Sequence, residues 1–388
     1  MNSAAVFAFT CPVKTNSGNK ALENLPVELA GLNAVNPLVV ANARAVGPKA
    51  VRTLMSAFGD SGMTLGLFEG VTEATDLGVV DHLKNICLEK KYDAFIALGG
   101  GKAADVAKVL NLAVSLKTPD ARRLLPEAPV RKRLLPLVVV AAAGADGLET
   151  SQLACLSRMV FSSEWLAPAL AVLDPRLARA KNGIQMAATG LAALGRAVES
   201  HISADQNPFR KAYSFAAIRF VRENLLSAVA DPGNRKAALA VLNSAAMSGC
   251  AFSNAASGRL HKLGQVFYDL LGIPQGVIMG MGLPLVLGDA LREGRYDLAA
   301  LFQPLAGDDA FAQTPAEKRP EAALAMLNRF LEDLRSVLGK ELPKSLREAG
   351  VPGYRKEEIL DVLGQDEDGP YLRGVVERMA DGERERKG

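Results

Sequence analysis

A run of three glycines in the first third of the chain has the composition of a phosphate-binding turn. Gly99, Gly100 and Gly101 follow the apolar stretch Tyr92–Leu98 and precede Lys102, where helical spacing begins. Glycine lets a backbone approach a pyrophosphate, and the first turn of a helix offers free N–H groups and the positive end of its dipole. The run is neither a GxGxxG nor a Walker motif. It predicts either a phosphate cradle or only a tight strand-to-helix turn, with Lys102 as a cradle charge or a solvated surface lysine.

The three histidines of the chain limit the kind of metal site that it can build. His82, His201 and His261 are far apart in sequence, and no pair has a metal-ligand spacing such as HxxxH. A zinc or iron site made mainly of imidazoles would need all three. The sequence therefore argues against a His-rich metal site. We expect His82 and His201 on helix surfaces and His261 in the core with its hydrogen bonds satisfied.

Charge and hydropathy exclude several classes of protein. The 388 residues are 49% hydrophobic and 22% charged, and a net charge of +3 is too small to favour nucleic acid or an anionic membrane surface. The longest apolar run, Leu134–Ala145, is far shorter than the roughly 20 residues of a transmembrane helix. No basic residue precedes the short apolar stretch near the N-terminus, so a secretory signal is not expected. The four cysteines lack CxxC spacing and are expected as reduced thiols of a cytoplasmic protein.

The spacing of apolar residues predicts two domains, over residues 1–180 and 181–388. In the first, short apolar runs alternate with segments of helical period, which predicts an α/β domain with a parallel sheet buried on both faces. The predicted strands cover residues 36–41, 63–68, 92–98 and 135–141, and the predicted helices cover 46–59, 77–90 and 101–116. From residue 185 onward, helical spacing of Ala, Leu and Gly predicts an all-helical domain. Within it we expect a surface connection over 304–320 and a further helix over 322–338.

Five stretches resemble, in order and spacing, the iron-containing (group III) alcohol dehydrogenase family. They are 99–108 (GGGKAADVAK), 136–151 (PLVVVAAAGADGLETS), 171–177 (AVLDPRL), 187–199 (AATGLAALGRAVE) and 251–276 (AFSNAASGRLHKLGQVFYDLLGIPQG). The resemblance implies a dehydroquinate synthase-like fold, with an N-terminal dinucleotide-binding α/β domain and a C-terminal all-helical domain. It also implies that NAD or NADP and a divalent metal, usually iron or zinc, lie in the cleft between the domains.

The chain departs from this family at the metal position. The resemblance places the four family ligands, one Asp and three His, at Ala192, Arg196, His261 and Gln275, so only the second histidine is kept. Alanine has no ligand atom, and arginine is a permanent cation that cannot coordinate a metal. Ala192 and Arg196 are four residues apart and face the same side of one helix. We therefore expect no native metal and expect Arg196 to fill the space. A further family histidine, tied to proton transfer, corresponds to Gln265.

A buried guanidinium must be paired or solvated. The carboxylates expected to reach Arg196 are Asp146 and Glu149, which lie in the stretch that resembles the glycine-rich GTGSE segment of the family. A backbone carbonyl, a bound anion or ordered water could also satisfy it.

The resemblance also shows an altered cofactor side. It places Asn42 where the family has an acidic residue that favours a free ribose 2′-hydroxyl, and Ala142 and Ala143 where the family has paired threonines. Arg158 falls where the family has a lysine that contacts the cofactor, although it could equally be a surface cation. Asp146 would oppose the cofactor phosphates. Binding of NAD or NADP is therefore expected to be weak or lost.

Two functions stay open for such a sequence. The first is an NAD(P)-dependent oxidoreductase of a small alcohol or aldehyde that works without a metal. Arg196 would hold the substrate oxygen, and His261 or Gln265 would orient or relay a proton. Relatives that reduce maleylacetate, usually regarded as metal-independent, imply that the fold allows this. The second is a non-catalytic relative, either a nucleotide sensor or a protein that binds a partner. Self-association as a homodimer or larger assembly is expected in both cases.

Overall fold

The structure of the protein, a computed structural model, describes residues 7–124, 130, 132–142, 144–178, 180, 182–203, 207–255, 258–294, 296–364 and 367–381. The strands are β1 (Lys14–Ser17), β2 (Pro37–Ala41), β3 (Gly66–Phe68), β4 (Ala94–Leu98), β5 (Leu137–Ala141), β6 (Leu153–Leu156), β7 (Met159–Ser162) and β8 (Leu170–Leu173).

Helices separate the strands and then form a domain of their own. Those of the first domain are α1 (Leu25–Gly31), α2 (Ala43–Val46), α3 (Pro48–Ser56), α4 (Leu77–Lys90) and α5 (Lys102–Ser115). Those that follow are α6 (Gly183–Ile202), α7 (Pro208–Ala230), α8 (Arg235–Phe252), α9 (Arg259–Leu271), α10 (Gln275–Glu293), α11 (Ala299–Ala306), α12 (Asp308–Gln313), α13 (Arg319–Leu338), α14 (Gly353–Leu363) and α15 (Gly369–Asp381). Short 3₁₀ helices cover Ala21–Asn24, Ala121–Arg123, Glu164–Leu166, Ala316–Lys318 and Gly339–Glu341.

Six strands form one parallel sheet in the order β1-β8-β5-β4-β2-β3. Every residue of β2, β4 and β5 is buried, because helices cover both faces of the sheet. The register places Ala41 beside Leu98, so β2 and β4 end at the same edge. Asn42 and Gly99, the residues after these two strands, therefore lie side by side at the edge where open α/β sheets bind ligands. The predicted α/β fold with a parallel sheet is confirmed.

The second domain is built around α6, most of whose residues are buried. α10 crosses α6 so closely that a Cβ atom at Gly276 would overlap the backbone of Ala188. Only glycine fits at position 276. Its small size lets the start of α10, including Gln275, approach α6 near Ala188. The predicted all-helical second domain is confirmed, and the crossing positions the site described below.

The segment 304–320 is largely helical rather than an irregular connection, although much of it is exposed as expected. α11 includes Pro304, and α12 follows it directly. The helix forms despite its proline because Leu301, Phe302 and Leu305 are buried in the core. His201 is also buried rather than on a surface, with Nδ1 2.9 Å from Ser214 Oγ. Burial lowers the pKa of His201 to about 4.

β6 and β7 form an antiparallel hairpin outside the main sheet. Its two loop residues, Ser157 and Arg158, have φ angles of 52° and 62°, as a primed two-residue turn requires. No helix in the described part of the chain combines the length and the apolar character needed to cross a membrane.

Candidate functional site

Arg196 lies at the centre of a buried cluster between the two domains. It is 2% exposed, and its Nη2 donates a hydrogen bond to Oε1 of Gln275 at 2.7 Å. The same nitrogen is 3.5 Å from Oδ2 of Asp146 and 3.4 Å from Nδ1 of His261. The side chain therefore fills the space beside Ala192, one turn before it on α6. Asp146 is its carboxylate neighbour.

The contact with Arg196 decides the tautomer of His261. A guanidinium only donates hydrogen bonds, so Nδ1 must be an acceptor and Nε2 must carry the hydrogen. Burial and the charge of Arg196 hold the pKa of His261 well below its usual value, which keeps the imidazole neutral. Among the described residues, neither His261 Nε2 nor Arg196 Nη1 has a hydrogen-bond partner, although both are buried. His261 is thus in the core as expected, but its hydrogen bonds are not all satisfied.

Two glutamines hold the guanidinium in place. Oε1 of Gln275 accepts from Arg196, which leaves Nε2 of Gln275 to donate to Oε1 of Gln265. The ring of Phe252 packs against His261 with its centroid 4.8 Å away, and lies 5.9 Å from the guanidinium carbon. These contacts orient Arg196 without neutralising it.

The residues at this position do not fit a divalent metal. The permanent positive charge of Arg196 lies within 3.4 Å of His261 Nδ1 and 2.7 Å of Gln275 Oε1. Both atoms that could coordinate a cation therefore face a guanidinium instead. In the described ranges, no three His, Cys, Asp or Glu side chains are grouped so that they could hold a metal ion.

Two cavities flank the cluster. The larger, of about 820 Å³, is lined by His261 and Gln265 and by apolar side chains of β6, β7, α9 and α14. The smaller, of about 360 Å³, is lined by Gln275, by Asn42 and by the glycine turn. Because Arg196 contacts both His261 and Gln275, its guanidinium lies between the two cavities.

The glycine turn lies at the end of β4 and leads into α5. Gly99 and Gly101 have φ angles of +124° and +50°, and a Cβ at Gly100 would overlap the backbone of Ala145. The Gly101 N–H donates to Oδ1 of Asp146 at 3.2 Å. The carboxylate of Asp146 therefore already accepts the hydrogen bond that the Gly101 N–H would otherwise donate to a phosphate.

Of the two alternatives for Lys102, the solvated surface lysine is wrong, because the side chain is buried. It is 4% exposed, and its Nζ lies 3.7 Å from Oδ1 of Asp269 on α9. The ion pair spans the cleft from α5 in the first domain to α9 in the second.

Asn42 brings a carboxylate into the smaller cavity. Its Oδ1 accepts from the Ala45 N–H and caps α2, while its Nδ2 donates to Oε1 of Glu73 at 3.2 Å. Glu73 also lines this cavity. Sequence reasoning missed Glu73 because it lies in a loop 31 residues later and belongs to no motif. The signal that could have pointed to Glu73 is Asn42 itself, which by the resemblance stands where the family has an acidic residue.

The other predicted cofactor residues are less closely grouped. Ala142 is buried just after β5. Ala143 lies outside the described residues. Arg158 is exposed on the hairpin turn and lines the larger cavity rather than the one that holds the glycine turn. The structure therefore brings Asn42 together with the glycine turn, and leaves Arg158 apart from them.

A buried lysine shapes the loop that carries Asp146. Nζ of Lys108 donates to the carbonyl oxygens of Leu148, Ser151 and Leu153 at 2.7–2.8 Å. Its neighbour Asp105 accepts from the Cys155 N–H at 2.5 Å. Burial lowers the pKa of Lys108 and raises that of Asp105, each to about 8. Lys108 thus holds the end of the 144–151 loop against α5, and Asp105 holds β6 there.

The smaller cavity suits a nucleotide in its position and in most of its lining. It lies at the carboxyl edge of the sheet, beside a glycine turn and the first turn of a long helix. The carboxylate of Asp146 opposes a phosphate there. The lining therefore suits the phosphate end of a nucleotide, at an electrostatic cost.

Comparison with known proteins agrees with this geometry. Residues 12–175 match the family described as iron-containing alcohol dehydrogenase, and residues 186–366 match the C-terminal part of the Fe-containing alcohol dehydrogenase family. The chain belongs to the iron-containing alcohol dehydrogenase family. A family relative, long-chain-alcohol dehydrogenase 1 of Geobacillus thermodenitrificans, is 27% identical over 362 residues, which cover 92% of this chain and 88% of the relative.

Solved structures show the fold of this family. The crystal structure of a 1,3-propanediol oxidoreductase matches with a TM-score of 0.84 and 23% identity, covering 96% of this chain and 100% of the other. That of maleylacetate reductase from Agrobacterium tumefaciens matches with a TM-score of 0.75 and 17% identity, covering 98% and 99%. At these identities the match concerns the fold alone.

Proposed function

We propose that the protein is a metal-independent oxidoreductase of small aldehydes and alcohols that uses NAD(H), in which Arg196 takes the place of the family metal. The observation that carries the proposal is a pair of buried N–H donors without partners among the described residues. They are Nη1 of Arg196 and Nε2 of His261. Buried donors are costly unless a ligand satisfies them, so each points to a bound oxygen atom.

The chemistry of these donors suits a carbonyl group. A bound nicotinamide would supply the hydride for reduction. Nη1 of Arg196 would donate to the carbonyl oxygen and stabilise the negative charge that develops on it. Gln275 and Gln265 keep the guanidinium oriented. Because Nδ1 of His261 faces Arg196, its Nε2–H points away from the guanidinium, and it would bind a water molecule of the larger cavity that supplies the proton.

Asp146 favours a second candidate function. Its contact with the Gly101 N–H opposes the pyrophosphate of a dinucleotide. A chain that has lost tight cofactor binding would be a non-catalytic relative, acting as a nucleotide sensor or binding a partner. Calorimetry with NAD and NADP at millimolar concentration tests binding, which both the enzyme and a nucleotide sensor require. Turnover with a panel of aldehydes then separates the enzyme from the sensor.

The test of the proposal is NADH oxidation with a panel of aldehydes, with EDTA and with added iron or zinc. We expect turnover that neither treatment changes. Arg196→Ala is expected to lower kcat by about 10²–10³, the usual effect of losing one oxyanion donor. Added guanidinium ion should restore part of the rate. Arg219→Ala, an exposed arginine of α7, is the control and should keep the wild-type rate.

Either of two results would reject the proposal. One is wild-type activity in Arg196→Ala, and the other is turnover only after metal is added. Self-association through the first domain and a cytoplasmic location stay predictions, and sedimentation at micromolar concentration tests the former.

A further inference from the structure

The N-terminal segment before β1 crosses from one domain to the other. Residues 7–12, here called the N-terminal strap, lie on the helical domain. The Phe9 ring stacks on Tyr213 with centroids 5.5 Å apart. The Thr10 N–H donates to Oδ1 of Asn254 at 2.7 Å, and the Thr10 carbonyl accepts from Nδ2 of Asn254 at 2.9 Å. Since the chain then enters β1 at the edge of the sheet, the strap connects the two domains.

Two thiols meet where the strap lies on α8. Sγ of Cys11 is 3.3 Å from Sγ of Cys250, although the residues are 239 positions apart in sequence. Both cysteines are free thiols. A disulfide bond is about 2.05 Å long, so the two sulfur atoms need a small further approach. The strap belongs to no helix or strand, so regular backbone hydrogen bonding does not oppose that movement.

The two thiols differ in reactivity. Hydrogen bonds from the thiol of Cys250 and from the hydroxyl of Tyr213 lower the pKa of Cys11 to about 6. Cys11 is therefore largely a thiolate at neutral pH, and it is half-buried rather than enclosed. The hydrogen bond to Cys11 and burial raise the pKa of Cys250. Cys87 and Cys155 are buried, and burial raises the pKa of both.

We propose that Cys11 and Cys250 are a site of oxidative modification, at which a hydroperoxide converts the two thiols into an intramolecular disulfide. The Cys11 thiolate attacks one peroxide oxygen, so that an S–O bond forms and the O–O bond breaks. The product is a sulfenic acid and an alkoxide or hydroxide, which takes up a proton. Cys250 then attacks the sulfenic sulfur, forming the S–S bond and releasing water. Two thiols are oxidised by two electrons, and the peroxide is reduced.

The disulfide would join the two domains covalently. Cys250 lies on α8 two residues before Phe252, whose ring packs on His261. Cys11 lies three residues before β1 of the sheet. The bond would therefore restrain the movement of the domains about the cleft between them. This inference does not depend on the proposed catalytic activity.

The test is peptide mapping of the reduced, full-length protein after treatment with hydrogen peroxide. We expect a cross-linked peptide containing Cys11 and Cys250, a protein mass lower by two hydrogen atoms, and reversal by dithiothreitol. Cys11→Ser and Cys250→Ser should each abolish the cross-link, whereas Cys87→Ser, the matched control, should keep it. Alkylation of Cys11 should have a midpoint near pH 6 in the wild type. In Cys250→Ala, which removes this hydrogen-bond donor, the midpoint should rise above that of the wild type.

Other products would overturn the proposal. Sulfinic or sulfonic acid at Cys11 with Cys250 still reduced would show that the two sulfur atoms do not react with each other. A disulfide between Cys11 residues of two molecules would show that the strap leaves α8. Because the wild-type peptide map reports on these outcomes directly, the test does not depend on the folding of the variants.

Discussion

A guanidinium at the family metal position changes the chemistry of the residues around it. The family resemblance places His261 at a metal-ligand position, but here its Nδ1 accepts from Arg196 and its Nε2 carries a hydrogen. Gln275 accepts from the same guanidinium. Two family ligand positions have thus become supports for a charged side chain. Since arginine stays protonated, the positive charge of the site does not depend on pH or on metal supply.

Removing the charge of Asp146 should strengthen dinucleotide binding. Asp146→Asn keeps an oxygen acceptor near Gly101 and removes the repulsion of a pyrophosphate. We expect Kd for NAD to fall by about tenfold, which corresponds to about 1.4 kcal/mol. Isothermal calorimetry measures this change.

Glu149→Gln is the control for that experiment, because Glu149 is buried nearby but bonds the Gly147 N–H rather than the glycine turn. The control should bind NAD as the wild type does. If Asp146→Asn binds NAD no better than the control, Asp146 does not oppose the cofactor.

Glu73 should select NAD over NADP. Its carboxylate is held by Asn42 in the smaller cavity and would repel a phosphate on the ribose 2′-oxygen. Glu73→Gln is expected to lower the ratio of NADP to NAD dissociation constants by about tenfold, equivalent to about 1.4 kcal/mol. Glu69→Gln removes an exposed carboxylate of the same region and should leave the ratio unchanged. Equal ratios in both variants would contradict this role.

The sequence predicted the position of Arg196 in the site, but not the partners of Lys102 and Asn42. The spacing of Ala192 and Arg196 on one helix, with the family resemblance, predicted that Arg196 would lie beside His261 and Gln275. The ion pair of Lys102 was not predictable, because Asp269 comes from the other domain. Glu73 was missed because it lies 31 residues from its partner Asn42. Tertiary contacts between distant segments decide such partners, and local patterns do not encode them.

Among the elements, α6 and α9 are joined by a buried carboxylate. Glu199 of α6 accepts the Leu260 N–H through Oε1 at 2.7 Å, in the first turn of α9. That helix carries His261 one residue later. Glu199 thus satisfies a free N–H of α9 and positions the helix that presents the imidazole. Its other oxygen has no partner among the described residues.

Glu199 should make stability depend on pH. Burial raises the pKa of Glu199 from 4.5 to about 7, so the native state holds the proton more tightly than the unfolded state does. Its contribution to the free energy of unfolding is complete below about pH 4.5 and is lost as the pH rises through about 7. Glu199→Gln should remove this fall, which amounts to about 3 kcal/mol.

Urea unfolding between pH 4.5 and 8 measures the effect. Glu317→Gln, at a residue exposed to solvent, is the control and should keep the wild-type slope. A wild-type slope in Glu199→Gln would show that Glu199 is ionised in the folded protein throughout this range.

The elements with strong periodicity were predictable and the others were not. Buried strands such as β2, β4 and β5 are runs of apolar residues, and α4 has the bounds that its periodicity predicts. The β6–β7 hairpin turns at Ser157 and Arg158, without the Asn or Gly that marks such turns. α11 contains a proline that normally signals a helix end. In both cases packing outweighs the local preference.

The candidate site of the whole molecule is built from both domains. Arg196 and Gln275 come from the helical domain, and Asp146 and the glycine turn come from the sheet domain. Asp146 contacts both, so its carboxylate links the two sides of the cleft. The family fold is retained, and we propose that the guanidinium of Arg196 takes the place of the metal.

The metal content of the protein shows directly whether Arg196 has taken the place of the metal. The protein is expressed with iron and zinc in the medium, purified without chelators and analysed by inductively coupled plasma mass spectrometry. The combined variant Ala192→Asp, Arg196→His and Gln275→His, which restores an Asp and three His with His261, is the positive control. We expect about one equivalent of metal in that variant and far less in the wild type. About one equivalent of iron or zinc in the wild type would contradict the proposal that Arg196 takes the place of the metal.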